Sequence, residues 1–236
     1  MARRDHPDLQ GSRFFDDIEA MVRGAKPDGV VVAVPDEFHL SVATECLDHG
    51  LAVMLEKPAV QSLTEGVALA RSASDIQSRL LVAHQRRHHP AAQVVKELIE
   101  RDGLGRLIGV SGVFALRKDD NYFVERPRGV GLVNLIHDLD LLQHFCGTVT
   151  AVSAVASHVG RGSREEDTLA VTMEFDSGVV GTMLATDAAP SPVGLGPGDQ
   201  GTAVDPVQPG RHHVLVAGPR RVVVDSGPAA VPPQRR

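Results

Sequence analysis

The sequence is poor in aromatic residues and in cysteine. Only 3% of its 236 residues are aromatic, none is tryptophan, and two are cysteine. Because Cys46 and Cys146 cannot form a disulfide framework, we expect both to be small buried residues of a protein in a reducing compartment. The net charge of -6 and the scarcity of stacking side chains argue against a nucleic-acid partner.

Long apolar runs are also missing. No stretch approaches the roughly 18 residues that a membrane-spanning helix needs, and the start, MARRDHPDLQGSRFF, has no apolar signal-peptide segment. We therefore expect no membrane partner and a cytoplasmic location. The 42% of hydrophobic residues suffices for a core, and the length allows one large domain or two small ones.

Several catalytic signatures are absent as well. The sequence contains no G-x-S-x-G turn of serine hydrolases and no P-loop. The pairs His88-His89 and His212-His213 lack the spacing of metal ligands, so no metal site is predicted.

A strand, a helix and a second strand follow one another near the amino end. Gly29–Val34 is a β-branched apolar run, Leu40–His49 has helical spacing, and Ala52–Leu55 is a second buried strand. This order predicts a crossover connection and parallel pairing, and parallel sheets bind their ligands at the carboxyl ends of the strands. Pro35 and Lys57 are expected at that edge.

The pattern changes after about residue 105. The preceding part continues with a helix, a strand and a helix, and the following part has longer strands around one helix. The predicted elements are helix 63–76, strand 79–84, helix 91–101 after Pro90, strand 108–116, helix 129–147, and strands 148–159, 169–175 and 179–186, the last two joined by a turn at 176–178.

These elements predict an α/β chain in three parts. Residues 1–105 form a partial, doubly wound Rossmann-type domain, and residues 106–187 an α+β domain with an open, mainly antiparallel sheet. Nine of the 15 prolines follow Asp187, so residues 188–236 are expected to be an irregular Pro/Gly-rich tail. Two short apolar runs in it, 213–217 and 221–225, have the pattern of paired strands.

The helix LVNLIHDLDLLQHF carries polar residues on a mostly apolar background. Asn134, His137 and Asp138 are three and four residues apart and share a face. A histidine in this setting is more often a hydrogen-bonded core residue than a base, although imidazole suits proton transfer near neutral pH. Asp138 and Asp140 are expected at the helix surface or behind the site.

Three motifs together resemble a known family. V-x-V-P-x-x-x-H at Val32–His39, E-K-P at Glu56–Pro58 and G-x-x-N-L-I-H-D-L-D at Gly131–Asp140 are similar to motifs of the glucose-fructose oxidoreductase, inositol dehydrogenase and MocA family (Gfo/Idh/MocA). The resemblance implies an oxidoreductase that transfers hydride between NAD or NADP and a sugar, inositol or related polyol.

The resemblance also implies roles for individual residues. Lys57 would contact both nicotinamide and substrate, His137 would accept the proton of a substrate hydroxyl, and the Lys57-Pro58 bond would be cis. Cofactor-binding residues would be Pro35, His39, Glu56, Lys57 and Pro58, and substrate-binding residues Lys57, Asn134, His137, Arg87 and Tyr122. For Arg87 a solvated basic loop is an equal alternative, and for Tyr122 loop packing is another.

The chain departs from the family pattern in two respects. Asn134 stands where many members have aspartate. The opening strand and its G-x-G-x-x-G turn are not found before Phe14, and Gly196–Gly201 matches that motif without the required strand and helix. The alternative function is therefore a catalytically inactive, truncated member with a structural or dimerisation role. The family further implies a homodimer or homotetramer.

Overall fold

A computed structural model describes residues 12–75, 79–117, 128–189, 212–217 and 222–225, the last two ranges by their backbone. The chain divides into two compact units, Met1–His84 and Gln85–Arg236. The second unit thus begins before the helix 91–101 that the sequence pattern assigns to the first domain. Among the described residues, no helix is long and apolar enough to cross a membrane.

The first unit is built from parallel strands and the helices that connect them. Its elements in chain order are α1 (Ile18–Ala25), β1 (Gly29–Val32), a 3-10 turn (Asp36–Phe38), α2 (His39–Asp48), β2 (Ala52–Leu55), α3 (Leu63–Asp75) and β3 (Leu80–Val82). Helix α1 begins at Asp17, whose carboxylate accepts a hydrogen bond from the Ala20 amide at 2.6 Å. Gly50, with φ of 75°, occupies the left-handed conformation after α2.

The three strands lie in the order β1-β2-β3 and all pair in parallel. Val32 is opposite Leu55, and Leu55 is opposite Val82, so the carboxyl ends of the three strands meet at one edge. One face of the sheet packs on the helices through Val32, Val53 and Leu55, which are at most 3% exposed. This arrangement confirms the predicted Rossmann-type unit.

In its described residues the second unit contains a six-stranded sheet and four helical segments. Its elements are a 3-10 turn (Gln85–His88), α4 (Pro90–Glu100), β4 (Gly109–Ala115), a π-turn (Gly131–Leu135), α5 (Ile136–Cys146), β5 (Val149–Ser157), β6 (Thr168–Phe175), β7 (Val180–Thr186), β8 (His212–Ala217) and β9 (Val222–Asp225). Pro90 is the first residue of α4, where its missing N–H costs nothing.

The strand order is β5-β6-β7-β4-β8-β9. Among the described strands of this sheet, β4 and β7 are the one pair that is parallel, so the prediction of a mainly antiparallel sheet is confirmed. Strands β8 and β9 pair with each other, and β8 also pairs with β4. The predicted pairing of the runs 213–217 and 221–225 is thus confirmed, and these two segments of the tail continue the sheet.

The two faces of this sheet differ in burial. Side chains such as Phe114, Met173 and Met183, at most 3% exposed, form one core with residues of α4 and α5. The opposite face carries a row in register across β5, β6 and β7, in which Val155 is opposite Ala170 and Ala170 opposite Leu184. Val155 is 73% and Leu184 43% exposed, so this row is an open apolar surface of the unit.

Candidate functional site

In the first unit the predicted cofactor residues lie at the carboxyl edge of the sheet. Pro35 follows β1 and precedes the 3-10 turn, while Glu56, Lys57 and Pro58 follow β2. The Glu56 amide donates to the Val32 carbonyl at 2.9 Å, which extends the pairing of the two strands to the start of the E-K-P motif. The parallel register thus brings both motifs to one edge, as the sequence predicts.

The E-K-P segment has a defined backbone. The Lys57-Pro58 peptide bond is cis, as the resemblance implies. Pro58 is buried and Lys57 is half-buried, whereas Glu56 is exposed. The Glu56 carboxylate accepts a hydrogen bond from the Lys57 amide at 3.2 Å.

His39 lies in the interior of the unit. It is 2% exposed at the first position of α2. Its Nδ1 is 2.7 Å from the carbonyl oxygen of Pro58, and its Nε2 is 3.0 Å from that of Val34. Both ring nitrogens therefore contact backbone carbonyls of this unit.

The strand-to-helix turn after β1 carries carboxylates. Asp36 and Glu37 occupy the first turn of the helical segment that follows Pro35. A helix start attracts anions through its amides, but two carboxylates there oppose the binding of a pyrophosphate. At this edge Lys57 supplies an ammonium donor that suits an oxygen acceptor such as a carbonyl or hydroxyl, whereas the turn with Asp36 and Glu37 does not suit an anionic pyrophosphate.

In the second unit the helix with the predicted base has an unusual start. Asn134 belongs to the π-turn Gly131–Leu135, and His137 belongs to α5. Short π-helical segments of this kind are rare in proteins, and those that occur are often found at functional sites. His137 is 7% exposed. Among the residues that the structure describes, the buried Nδ2 of Asn134 has no hydrogen-bond partner, so it is a free donor beside the turn.

Two arginines contact two aspartates of α5. Arg86 Nη1 is 2.6 Å from Asp138 Oδ1, and Arg87 binds both carboxylate oxygens of Asp140, with Nε 2.9 Å from Oδ2. Asp138 is 1% and Asp140 7% exposed. A surface position for these aspartates is thus wrong: a buried carboxylate needs a charged partner, and the 3-10 turn Gln85–His88 supplies one for each.

The ion pairs affect the electrostatics of the site helix. The hydrogen bond and charge of Asp140 raise the pKa of Arg87, while burial opposes them. Burial lowers the pKa of His144 on the same helix, and the positive charges of Lys96 and Arg87 act in the same direction. Arg87, predicted to bind substrate, is here a bidentate partner of Asp140 with a side chain that is 36% exposed.

The start of the site helix is held by Glu166. Its carboxylate accepts a hydrogen bond from the Gly131 amide at 3.1 Å, and its carbonyl accepts one from the Val130 amide at 3.0 Å. A Cβ on Gly129 would lie 1.8 Å from Glu166 Oε1, so glycine is required for this approach. Sequence reasoning missed Glu166, although the closely spaced Gly129 and Gly131 were a signal of close contact.

A second buried polar cluster was also missed. Arg161 Nη2 is 2.6 Å from Asp187 Oδ1, and these side chains are 9% and 0% exposed. Asp167, which is 0% exposed, accepts hydrogen bonds from the Arg161 amide at 2.8 Å and the Thr168 hydroxyl at 2.8 Å. The cluster ties the loop after β5 to the ends of β6 and β7. Tyr122, the remaining predicted site residue, lies outside the described residues.

Two family models match the chain. Residues 4–84 match the model described as an oxidoreductase family with an NAD-binding Rossmann fold, and residues 92–202 match the GFO/IDH/MocA C-terminal domain. Together the two models cover most of the chain in the expected order. The chain belongs to the Gfo/Idh/MocA family.

Curated Gfo/Idh/MocA relatives are similar at about a quarter of positions. A 2,7-anhydro-N-acetylneuraminate hydratase of Escherichia coli is 25% identical over 70% of this chain and 47% of its own length. An inositol 2-dehydrogenase of Corynebacterium glutamicum is 24% identical over 73% of this chain and 52% of its own length. The chain spans about half the length of the curated relatives it matches.

Solved structures share the Gfo/Idh/MocA fold. The WlbA dehydrogenase of Chromobacterium violaceum, crystallised with NADH and UDP-GlcNAcA, has a TM-score of 0.75 at 22% identity, over 92% of this chain and 61% of its own. GenD2 from gentamicin A biosynthesis, crystallised with NAD, has a TM-score of 0.73 at 22% identity, over 92% and 60% of the chains. At these identities the likeness establishes the fold alone.

Proposed function

We propose that this chain takes part in hydride transfer between NAD or NADP and a sugar, inositol or related polyol. The observation that carries the proposal is the position of Lys57 directly after β2, at the carboxyl edge of a parallel sheet matched by an NAD-binding family model. In this proposal Lys57 contacts nicotinamide and the substrate oxygen, and bound nicotinamide supplies the hydride chemistry.

The second part of the proposal concerns proton transfer. His137 exchanges a proton with the substrate hydroxyl as its general base or acid, which suits an imidazole near neutral pH. Asn134 supports substrate binding, because its buried Nδ2 is a donor without a partner among the described residues. A sugar or polyol hydroxyl oxygen would accept that hydrogen bond.

Calorimetric titration of the 236-residue chain with NADH and NADPH tests the cofactor role. Lys57→Ala should weaken binding, and Lys96→Ala is the matched control, because Lys96 lies on α4 and pairs with Glu100. A chain that binds neither dinucleotide at millimolar concentration, or a Lys57→Ala variant that binds like the parent, would contradict this assignment.

A screen of polyols tests the reaction. If the parent chain binds a dinucleotide, it should reduce NAD or NADP with at least one sugar or inositol as the hydride donor. His137→Asn should abolish this turnover. The alternative is an inactive member with a structural or dimerisation role. Binding without turnover for every substrate would support that alternative.

We further propose that copies of the chain associate through the open apolar row on the second sheet, as a homodimer or homotetramer. Val155 on β5 and Leu184 on β7, 73% and 43% exposed, offer apolar area on the face that is turned away from the core. Val155→Asp should reduce the mass measured by light scattering. A monomeric parent chain would contradict the proposal.

A further inference from the structure

The imidazole of His39 connects the two loops that follow β1 and β2. Nδ1 lies 2.7 Å from the Pro58 carbonyl oxygen, and Nε2 lies 3.0 Å from the Val34 carbonyl oxygen. Val34 is two residues after the end of β1, and Pro58 is three residues after the end of β2. One side chain of α2 therefore joins the backbone on both sides of the candidate cofactor edge.

The contact between His39 and Pro58 is buried, so its loss should be costly. His39 is 2% exposed, and Pro58 is buried. A carbonyl oxygen accepts hydrogen bonds only, so a protonated ring nitrogen must donate, and a buried carbonyl without a donor is costly. Because Pro58 directly follows Lys57, the hydrogen bond to its carbonyl restrains the peptide unit next to the lysine.

We propose that His39 is a positioning residue for Lys57 and makes no direct contact with the cofactor. The Nδ1 hydrogen bond fixes the Lys57-Pro58 segment, and the Nε2 contact fixes the same ring to the loop that carries Pro35. This inference rests on the proposed function, since its functional readout is dinucleotide binding through Lys57. It replaces the expectation that His39 itself binds the cofactor.

Two amide substitutions separate the two contacts. The amide nitrogen of His39→Asn stands near the position of Nδ1, and that of His39→Gln near the position of Nε2. Asparagine should therefore keep the bond to Pro58, and glutamine should keep only the contact to Val34. His39→Leu removes both ring nitrogens and therefore both contacts. If the leucine variant does not fold, the comparison of His39→Asn with His39→Gln still tests the proposal.

Amide hydrogen exchange tests the two contacts of His39 without any cofactor. The Glu56 amide donates to Val32 at 2.9 Å beside the E-K-P segment, and the Phe38 amide donates to Pro35 at 2.9 Å in the other loop. Loss of one buried hydrogen bond should speed exchange by roughly tenfold. We expect faster Glu56 exchange in His39→Gln than in His39→Asn, and faster Phe38 exchange in His39→Asn. Unchanged exchange at both amides in every folded variant overturns the proposal.

Titration with NADH then tests the link to Lys57. His39→Gln should weaken binding by roughly tenfold and His39→Asn by much less. Adding Lys57→Ala to His39→Gln should weaken binding further by less than it does in the parent chain, because coupled residues are not additive. Additive losses, or equal losses in the asparagine and glutamine variants with unchanged amide exchange, would show that His39 contacts the cofactor directly. If the parent chain binds only NADPH, the same titrations are made with NADPH. If it binds neither dinucleotide, the proposed function fails, and amide exchange alone tests whether His39 holds the two loops.

Discussion

The guanidinium of Arg86 pairs with the carboxylate of Asp138 at 2.6 Å, and the aspartate side chain is 1% exposed. Asp138 directly follows His137, so this ion pair holds the helix at the residue next to the proposed base. The sequence separation of 52 residues makes it a long-range restraint within the second unit.

Removal of the Arg86 charge should destabilise the second unit. Arg86→Met deprives a buried carboxylate of its ion-pair partner, and such a loss costs about 3–5 kcal/mol of unfolding free energy. The measurement is urea unfolding followed by circular dichroism. Arg101→Met is the control, because the pair of Arg101 with Glu97 is exposed and its loss should cost under about 1 kcal/mol. Equal effects of the two substitutions would contradict the prediction.

Arg87 should not tolerate lysine. Its guanidinium contacts both oxygens of Asp140, and a lysine ammonium cannot reproduce this forked geometry. We expect Arg87→Lys and Asp140→Asn each to lower the melting temperature, and the double variant to lose less than the sum. If Arg87 instead binds substrate, Arg87→Lys would raise KM in a chain of unchanged stability.

Gly129→Ala should destabilise the second unit unless Glu166 is replaced by a smaller residue. The added Cβ would lie within about 2 Å of three carboxylate atoms of Glu166, so either the carboxylate or the helix start must move. Gly129→Ala is expected to lower stability and, in an active chain, kcat. Glu166→Ala in the same chain should relieve the clash, although it removes the hydrogen bond to the Gly131 amide. A double variant less stable than both single variants would contradict this explanation.

Local elements of this fold follow from the sequence because they depend on neighbouring residues. The strand Ala52–Leu55 has the predicted bounds, and Pro90 begins α4 as expected. Gly178, with φ of 81°, lies in the predicted turn between β6 and β7. Each of these features depends on periodicity, a fixed proline φ or a left-handed glycine, all of which are visible in a short window.

The candidate site was predictable only in part, since its supporting contacts are distant in sequence. The register of β1 and β2 follows from the strand–helix–strand pattern, and so does the shared edge of Pro35 and Lys57. No local pattern indicates that Asp138 is buried against Arg86, or that strand β8 pairs with β4. Charged residues are usually exposed, and only the folded chain identifies the oppositely charged partner that allows such a side chain to be buried.

His137 and Asn134 should have separable kinetic roles. His137→Gln removes the proposed general base and should lower kcat by about 10²–10⁴-fold with little change in NADH affinity. Asn134→Ala removes a hydrogen-bond donor and should mainly raise KM for the polyol, by roughly tenfold. Steady-state kinetics on the best substrate of the screen measure both. Equal losses of kcat in the two variants would indicate that Asn134 acts with His137 in the chemical step.

The thiol of Cys146 should make stability fall at alkaline pH. Burial raises the pKa of Cys146 from 9.0 to about 12, with a smaller opposing effect of Lys96, and the residue is 3% exposed. Above pH 9 the unfolded chain loses this proton while the folded chain keeps it, so the folded state loses stability as the pH rises toward 12.

The size of this effect follows from the difference between the two pKa values. At about pH 10, one unit above the ordinary value, the loss is ~1.4 kcal/mol, and it grows until the pH reaches the folded pKa. Urea unfolding at neutral pH and at about pH 10 measures the loss, and Cys146→Ala removes this contribution while other alkaline titrations remain. The slope with pH should therefore be smaller in the variant than in the parent chain. Parallel slopes would mean that the thiol ionises equally in the folded and unfolded states, and that its burial does not control its protonation.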